Sequence, residues 1–347
     1  MASSTSLKQI FSKCRFLGSG ARRIILSESE LFALMSIGVQ DLGWKPGELD
    51  LPELNETMPG ENYYQIPFQW FDSHEGIAPT SQILIEALAK GVSKHNDFSL
   101  YFQNLCELHK RRTKYQNILS LQPRPTMDQV GPRSLLEYGI CDSQFLSSWM
   151  IWRKWIFDID NRSAQETGYL FEPILASCLG GETIGARNSP VKRLDQAGNL
   201  TTAGRQIDCY VGEDNLAYEF KLRVTIAASG QGRFPEELSF PQECAAAGLT
   251  PVLLVLDPTP SFRLDNLEKA FIDVGGRSFI GDDAWLHMED KAGDVMSIFL
   301  EKYIRPPLAE MAAKENLPLA NINLRWSENE IVIEGGTEKY IIPRYSS

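Results

Sequence analysis

The sequence predicts an α/β fold of the α+β kind, built on a mixed sheet, and three observations carry that expectation. Residues 205–223 contain two runs of strand formers flanking Gly212-Glu-Asp-Asn215, which is the signature of a hairpin. Pro251–Leu256 is a continuous apolar run, as expected of a strand covered on both faces. Between them, Pro235–Ala247 reads as a helix, and a parallel crossover from one strand to the next needs such a connection. From about residue 160 the predicted order is therefore helix, three strands, helix, strand.

Taken in order, residues 1–45 read as helical. Leu31, Phe32, Leu34 and Met35 have helical spacing after the capping sequence Ser27-Glu-Ser-Glu30. Residues 45–80 are rich in Pro, Gly, Asn and Asp and read as loop. The stretch 81–121 is again helical and holds His109-Lys-Arg-Arg-Thr-Lys114, the densest basic cluster of the chain, expected as a solvated helix face. Residues 122–133, with prolines at 123, 125 and 132, read as a linker. The expected division is a helical region over 1–133, a sheet-containing core over 134–305 and a β extension over 306–347. Trp149, Trp152 and Trp155 are expected in the core, the last two on one helix face. A helix over 163–179, a strand at 182–186, helices at 263–273 and 284–303 and an antiparallel meander after 318 complete the prediction. Asp282 and Asp283 are expected to cap the helix beginning near Ala284.

At 347 residues the chain is long enough for one large domain or two ordinary ones, and its hydrophobic fraction of 43% is that of a globular protein. No apolar run reaches the roughly 18 residues of a membrane span. The first residues show no apolar core of a signal peptide. Cysteines at 14, 106, 141, 178, 209 and 244 lack metal-binding spacing and suit a reducing, cytoplasmic compartment. A net charge of −11 argues against a general nucleic-acid coat, yet leaves room for an enzyme with a local basic surface.

The hairpin carries the chemistry. Alternation along a strand puts Glu219 and Lys221 on one face. A turn centred between Glu213 and Asp214 sets position 208 opposite 219, with Cβ atoms about 5 Å apart. Asp208, Glu219 and Lys221 then share one patch. Like charges so placed repel, and a divalent cation between the carboxylates removes the objection. The structural alternative is a solvated face with an ordinary ion pair.

This arrangement resembles the PD-(D/E)xK nuclease superfamily and, within it, the type II restriction endonucleases. Asp208 matches the first acidic residue and Glu219-Phe-Lys221 the (D/E)xK half, although Ile207 precedes Asp208 where many members have Pro. The match spans roughly positions 160–260. The resemblance implies a restriction-endonuclease-like core and Mg²⁺ held by Asp208, Glu219 and the Phe220 carbonyl. Lys221 would act on the attacking water, double-stranded DNA would be the substrate, and the enzyme would be a homodimer. It also implies one more catalytic carboxylate from the preceding helix. Glu172 flanks the stripe of Phe171, Ile174, Leu175 and Cys178 and is preferred to Glu166; if Pro173 opens the helix, Glu172 is its N-cap instead. Arg187, Lys192, Arg193, Arg205, Arg223 and Arg233 are candidates for phosphate contact. Gln231 and Arg233, in a polar loop over 230–234, have the donors to read adenine and guanine edges. The histidines show no pairing that suggests a metal or a nucleophile. A repair or junction nuclease of the same superfamily and a non-catalytic α/β binding protein remain the alternatives.

Overall fold

The computed structural model describes residues 4–18, 23–59, 62–140, 143–195, 197–222, 233–257, 259–315 and 318–345. The chain first forms helix α1 (Ser4–Arg15), a two-residue hairpin β1 (Phe16–Leu17) and β2 (Ile24–Ile25), α2 (Glu28–Asp41), α3 (Phe68–Asp72) and α4 (Ser81–Lys94). Then come α5 (Phe98–Leu121), α6 (Met127–Tyr138) and α7 (Gln144–Cys178). The expected cap at Ser27 is present as a full capping box with Glu30.

Three expectations for this half are corrected. The stretch 81–121 is two helices, broken at residues 95–97. Residues 127–133 are helical rather than linker, because the Thr126–Gln129 capping box starts α6 and Pro132 removes only one bond from it. The segments around 134–158 and 163–179 largely merge into the single 35-residue α7, which runs through Pro173. Leu170, Ile174 and Leu175 are all buried around that proline. Burying each side chain contributes about 1.5–3 kcal/mol, which outweighs a cost of about 3 kcal/mol for an interior proline.

The second half builds the sheet. Its elements are β3 (Glu182–Ile184), β4 (Lys192–Leu194), β5 (Leu200–Gly204), β6 (Ile207–Val211), β7 (Leu216–Lys221), α8 (Arg233–Ala246) and β8 (Thr250–Val255). They are followed by α9 (Phe262–Asp273), β9 (Arg277–Ile280), α10 (Asp282–Phe299), α11 (Arg305–Ala312), β10 (Ile322–Trp326), β11 (Glu330–Gly335) and β12 (Glu338–Pro343). A five-stranded sheet runs in the order β3-β6-β7-β8-β9. β3, β6 and β7 pair antiparallel, whereas β7, β8 and β9 pair parallel, so the predicted mixed sheet is the one observed. The β4–β5 ribbon and β9 were not foreseen, being short and only partly buried.

The chain packs as two units that do not follow chain order. One comprises Met1–Arg15, Ser27–Cys106 and Tyr169–Ala309 and contains the sheet. In its core, Ile207 and Ala217 of the hairpin and Leu253 and Val255 of β8 meet Phe240 and Cys244 of α8 and Leu267 and Phe271 of α9. The other unit comprises Phe16–Leu26, Glu107–Gly168 and Glu310–Ser347. There the predicted meander β10-β11-β12 packs Ile331 and Ile342 on Ile118, Trp155 and Ile159. Of the three tryptophans expected in the core only Trp155 is buried; Trp149 is exposed. The basic cluster is no solvated face either. Lys110 is fully buried, with Nζ donating to Glu107 Oε1 at 2.6 Å and to Phe16 O at 3.1 Å. Among the described residues no helix is long and apolar enough to cross a membrane.

Arg205, expected to hold phosphate, is buried instead. Its Nη2 donates to Glu236 O at 2.8 Å, and its Nη1 lies 3.6 Å from Glu243 Oε2, an ionic contact too long for a hydrogen bond. Glu243 Oε1 accepts from Leu194 N at 3.1 Å, so one carboxylate ties α8 both to β4 and to the approach to β6. Removing one member of a buried pair strands the other. Glu243→Ala is therefore expected to destabilise the protein by roughly 3–5 kcal/mol. Urea unfolding midpoints measure this, and a loss within experimental error would show that the pair does not hold α8 in place.

Candidate active site

The site begins with strand register. β6 and β7 pair Cys209 with Tyr218, Tyr210 with Ala217 and Val211 with Leu216, which leaves Gly212–Asn215 as a four-residue turn. Continuing that register sets Asp208 opposite Glu219, as the turn position predicted. The backbone ladder ends at Cys209–Tyr218, and a side chain takes over: Asp208 Oδ2 accepts from Phe220 N at 2.9 Å. A strand residue directs its N–H and C=O to the same side. The Phe220 carbonyl therefore faces the strand of Asp208, while the next carbonyl, Lys221 O, is taken by Leu256 N at 3.0 Å.

The carboxylates here are crowded. Asp208 and Glu219 are each 8% exposed. Burial first, then the charges of Glu219 and Glu172, hold the Asp208 carboxyl well above its ordinary range. Lys221 Nζ lies 2.8 Å from Glu219 Oε1 and 3.1 Å from Glu237 Oε1. Burial alone would lower its pKa, but Glu219 and Glu237 outweigh burial and raise it. Glu172 belongs to the same field: burial and Glu219 raise its carboxyl, and Lys221 offsets part of that. Pro173 lies inside α7, so Glu172 is not a helix cap. Glu166 is committed elsewhere, to ion pairs with Arg111 and with Lys114, the latter at 2.6 Å.

Glu237 escaped the sequence reading. It sits in the first turns of α8, and its carboxyl is raised by burial against the pull of Lys221. A pair of glutamates at the start of the crossover helix was the available signal, but nothing local says which of Glu236 and Glu237 faces the sheet.

The basic candidates are scattered more widely. Arg187 is exposed on a single 3₁₀ turn, Ala186–Asn188. Lys192 Nζ donates to Ser189 O at 3.1 Å, and Arg193 Nη1 lies 3.4 Å from Glu236 Oε1. Arg223 and Gln231 lie outside the described residues. Arg233 opens α8, with its side chain outside them, so the loop expected over 230–234 has given way to helix by Arg233. Pro235 suits that first turn, where its missing N–H leaves no bond unmade.

Among the described residues no group of three or more His, Cys, Asp or Glu side chains is placed to hold a metal ion. The donors available to a hard divalent cation are two carboxylates and one carbonyl, and such ions keep several waters of their own. Burial and then the charge of Glu219 disfavour the ionised Asp208, and a cation between the two carboxylates would offset both, so the residues fit one.

The chain resembles known proteins over most of its length. The family model described as ApaLI-like restriction endonuclease matches residues 61–305. The type II restriction enzyme ApaLI of Acetobacter pasteurianus is 44% identical over 340 residues, which cover 93% of this chain and 89% of the relative. No solved structure matches.

The crowding has a measurable cost. A carboxyl whose folded pKa is raised loses stability as pH climbs through that pKa. Asp208→Asn keeps an oxygen for Phe220 N–H and removes the charge. It is expected to melt higher than the wild type in EDTA, by a margin that vanishes in acid and widens as pH rises. Divalent cation should raise the melting temperature of the wild type more than that of the variant. A variant less stable than wild type at every pH would mean that Asp208 is not electrostatically strained.

Proposed function

The chain belongs to the ApaLI-like restriction endonuclease family, and on that premise we propose that it is a type II, site-specific endonuclease hydrolysing phosphodiester bonds of double-stranded DNA with Mg²⁺. The observation that carries the assignment of residues is the opposition of Asp208 and Glu219 on paired strands, with Lys221 on the same face as Glu219. In this reading Asp208, Glu219 and the Phe220 carbonyl would hold the metal. Mg²⁺, when bound, screens the phosphate and lowers the pKa of a water. Lys221 orients that water and stabilises charge that develops at the phosphate. Glu172 adds a third carboxylate that shapes the acidic pocket from the helix side. Arg187, Lys192 and Arg193, together with Arg223, Gln231 and Arg233, are the candidates for DNA contact. Residues 1–133 are assigned to recognition and dimerisation. A homodimer matches a two-fold symmetric site, and the cytoplasm of a prokaryote suits the five buried free thiols described.

Plasmid digestion tests the function. Discrete fragments are expected with Mg²⁺ and intact plasmid in EDTA; absence of cutting with any divalent cation would overturn the reading. Asp208→Ala or Glu219→Ala should abolish cleavage while DNA binding in Ca²⁺ persists. Robust cutting by either variant would remove that residue from the site. Lys221→Ala should slow the chemical step by roughly 10²–10³, and a variant within threefold of wild type would exclude Lys221 from catalysis.

A further inference from the structure

One ammonium serves two carboxylates in this site. Lys221 Nζ donates to Glu219 Oε1 at 2.8 Å and to Glu237 Oε1 at 3.1 Å, and all three side chains are at most 15% exposed. The second oxygen of Glu237 is buried, and among the described residues it meets no hydrogen-bond donor. A buried carboxylate oxygen with no donor is costly and calls for a reason. Nor is Glu237 free to drift out to water. Its helix is fastened over the next two turns by Phe240 and Cys244 in the core and by the contact of Glu243 with Arg205 beside it.

Glu219 and Glu237 differ in what else they face. Glu219 stands opposite Asp208 in the hairpin register, whereas Glu237 comes from the crossover helix. An ammonium resting on Glu219 competes with any cation for that carboxylate. Were Lys221 paired with Glu219 alone, a cation would have to displace a buried ammonium with nowhere to go. Glu237 supplies the alternative: its Oε1 already accepts from Lys221, and its buried Oε2 meets no donor among the described residues.

We propose that Glu237 is a positioning residue that takes Lys221 from Glu219 when a divalent cation enters, so that Glu219 is released to the metal and the ammonium stays at the reacting centre. This inference rests on the endonuclease reading above and adds to it how metal entry and lysine placement are coupled. It also accounts for the second Glu237 oxygen, which becomes an acceptor when the ammonium moves fully onto that side.

The test is a double-mutant cycle read on the DNA-free protein. Mn²⁺ binding is measured by electron paramagnetic resonance for wild type, Glu237→Gln, Lys221→Met and the double variant. Glu237→Gln should weaken Mn²⁺ binding about tenfold when Lys221 is present, and less than twofold in the Lys221→Met background. Equal losses in both backgrounds would show that Glu237 acts as a bare charge or a structural group, and overturn the proposal. Unchanged Mn²⁺ binding in Glu237→Gln would overturn it as well. Should Glu237→Gln not fold, Glu237→Asp takes its place, with an expected loss of about threefold that again depends on Lys221. Because Mn²⁺ binding needs no DNA, this outcome is independent of plasmid cleavage, so failure of the nuclease reading and failure of the coupling are told apart.

Discussion

Two carboxylates face each other across paired strands inside the protein, and much else in the sheet follows from keeping them there. At about 4 Å, like charges repel by about 4 kcal/mol at the effective dielectric of a protein surface, and burial adds to this. The fold answers with constraint. Asp208 is anchored by Phe220 N–H where the ladder opens, β8 pairs with β7 beside it, α8 packs against the sheet, and Lys221 spans Glu219 and Glu237. The strained group is held by elements that are well packed on their own account, as functional sites require.

That packing is why the crossover helix matters beyond its role in topology. α8 joins the antiparallel hairpin to the parallel strand β8, so its length and direction are dictated by the sheet. The same helix presents Glu237 to the lysine, and Glu243 to Arg205 and to Leu194 N. Arg205 lies three residues before Asp208 in the chain. The charge of Arg205 is thus a fastening at the root of the site rather than a phosphate clamp.

The acidic balance of the chain acquires a local meaning in the same region. The pocket gathers Asp208, Glu219, Glu172 and Glu237 around Lys221. A surplus of buried negative charge disfavours the empty pocket and favours a divalent cation. In the basic cluster of α5, Arg111 and Lys114 are neutralised by Glu166 and Lys110 by Glu107.

The sequence alone determined the hairpin and its register, because side chains alternate with a period of two and an even-numbered turn preserves the pairing of 208 with 219. It also determined the crossover helix and the buried strand β8, whose apolar run has no polar face to show solvent. The family resemblance at Asp208, Glu219 and Lys221 was legible for the same reason: those residues lie within one hairpin. What only the tertiary structure decided are the meetings between elements distant in the chain. The placing of Glu172 beside the site while Glu166 pairs with Arg111, the burial of Arg205 and the approach of Glu237 to Lys221 all depend on how helices dock and rotate. Local periodicity gives a helix its apolar stripe, but which charge at the stripe's edge meets which partner is set by packing over the whole core, where burial outweighs any single ion pair.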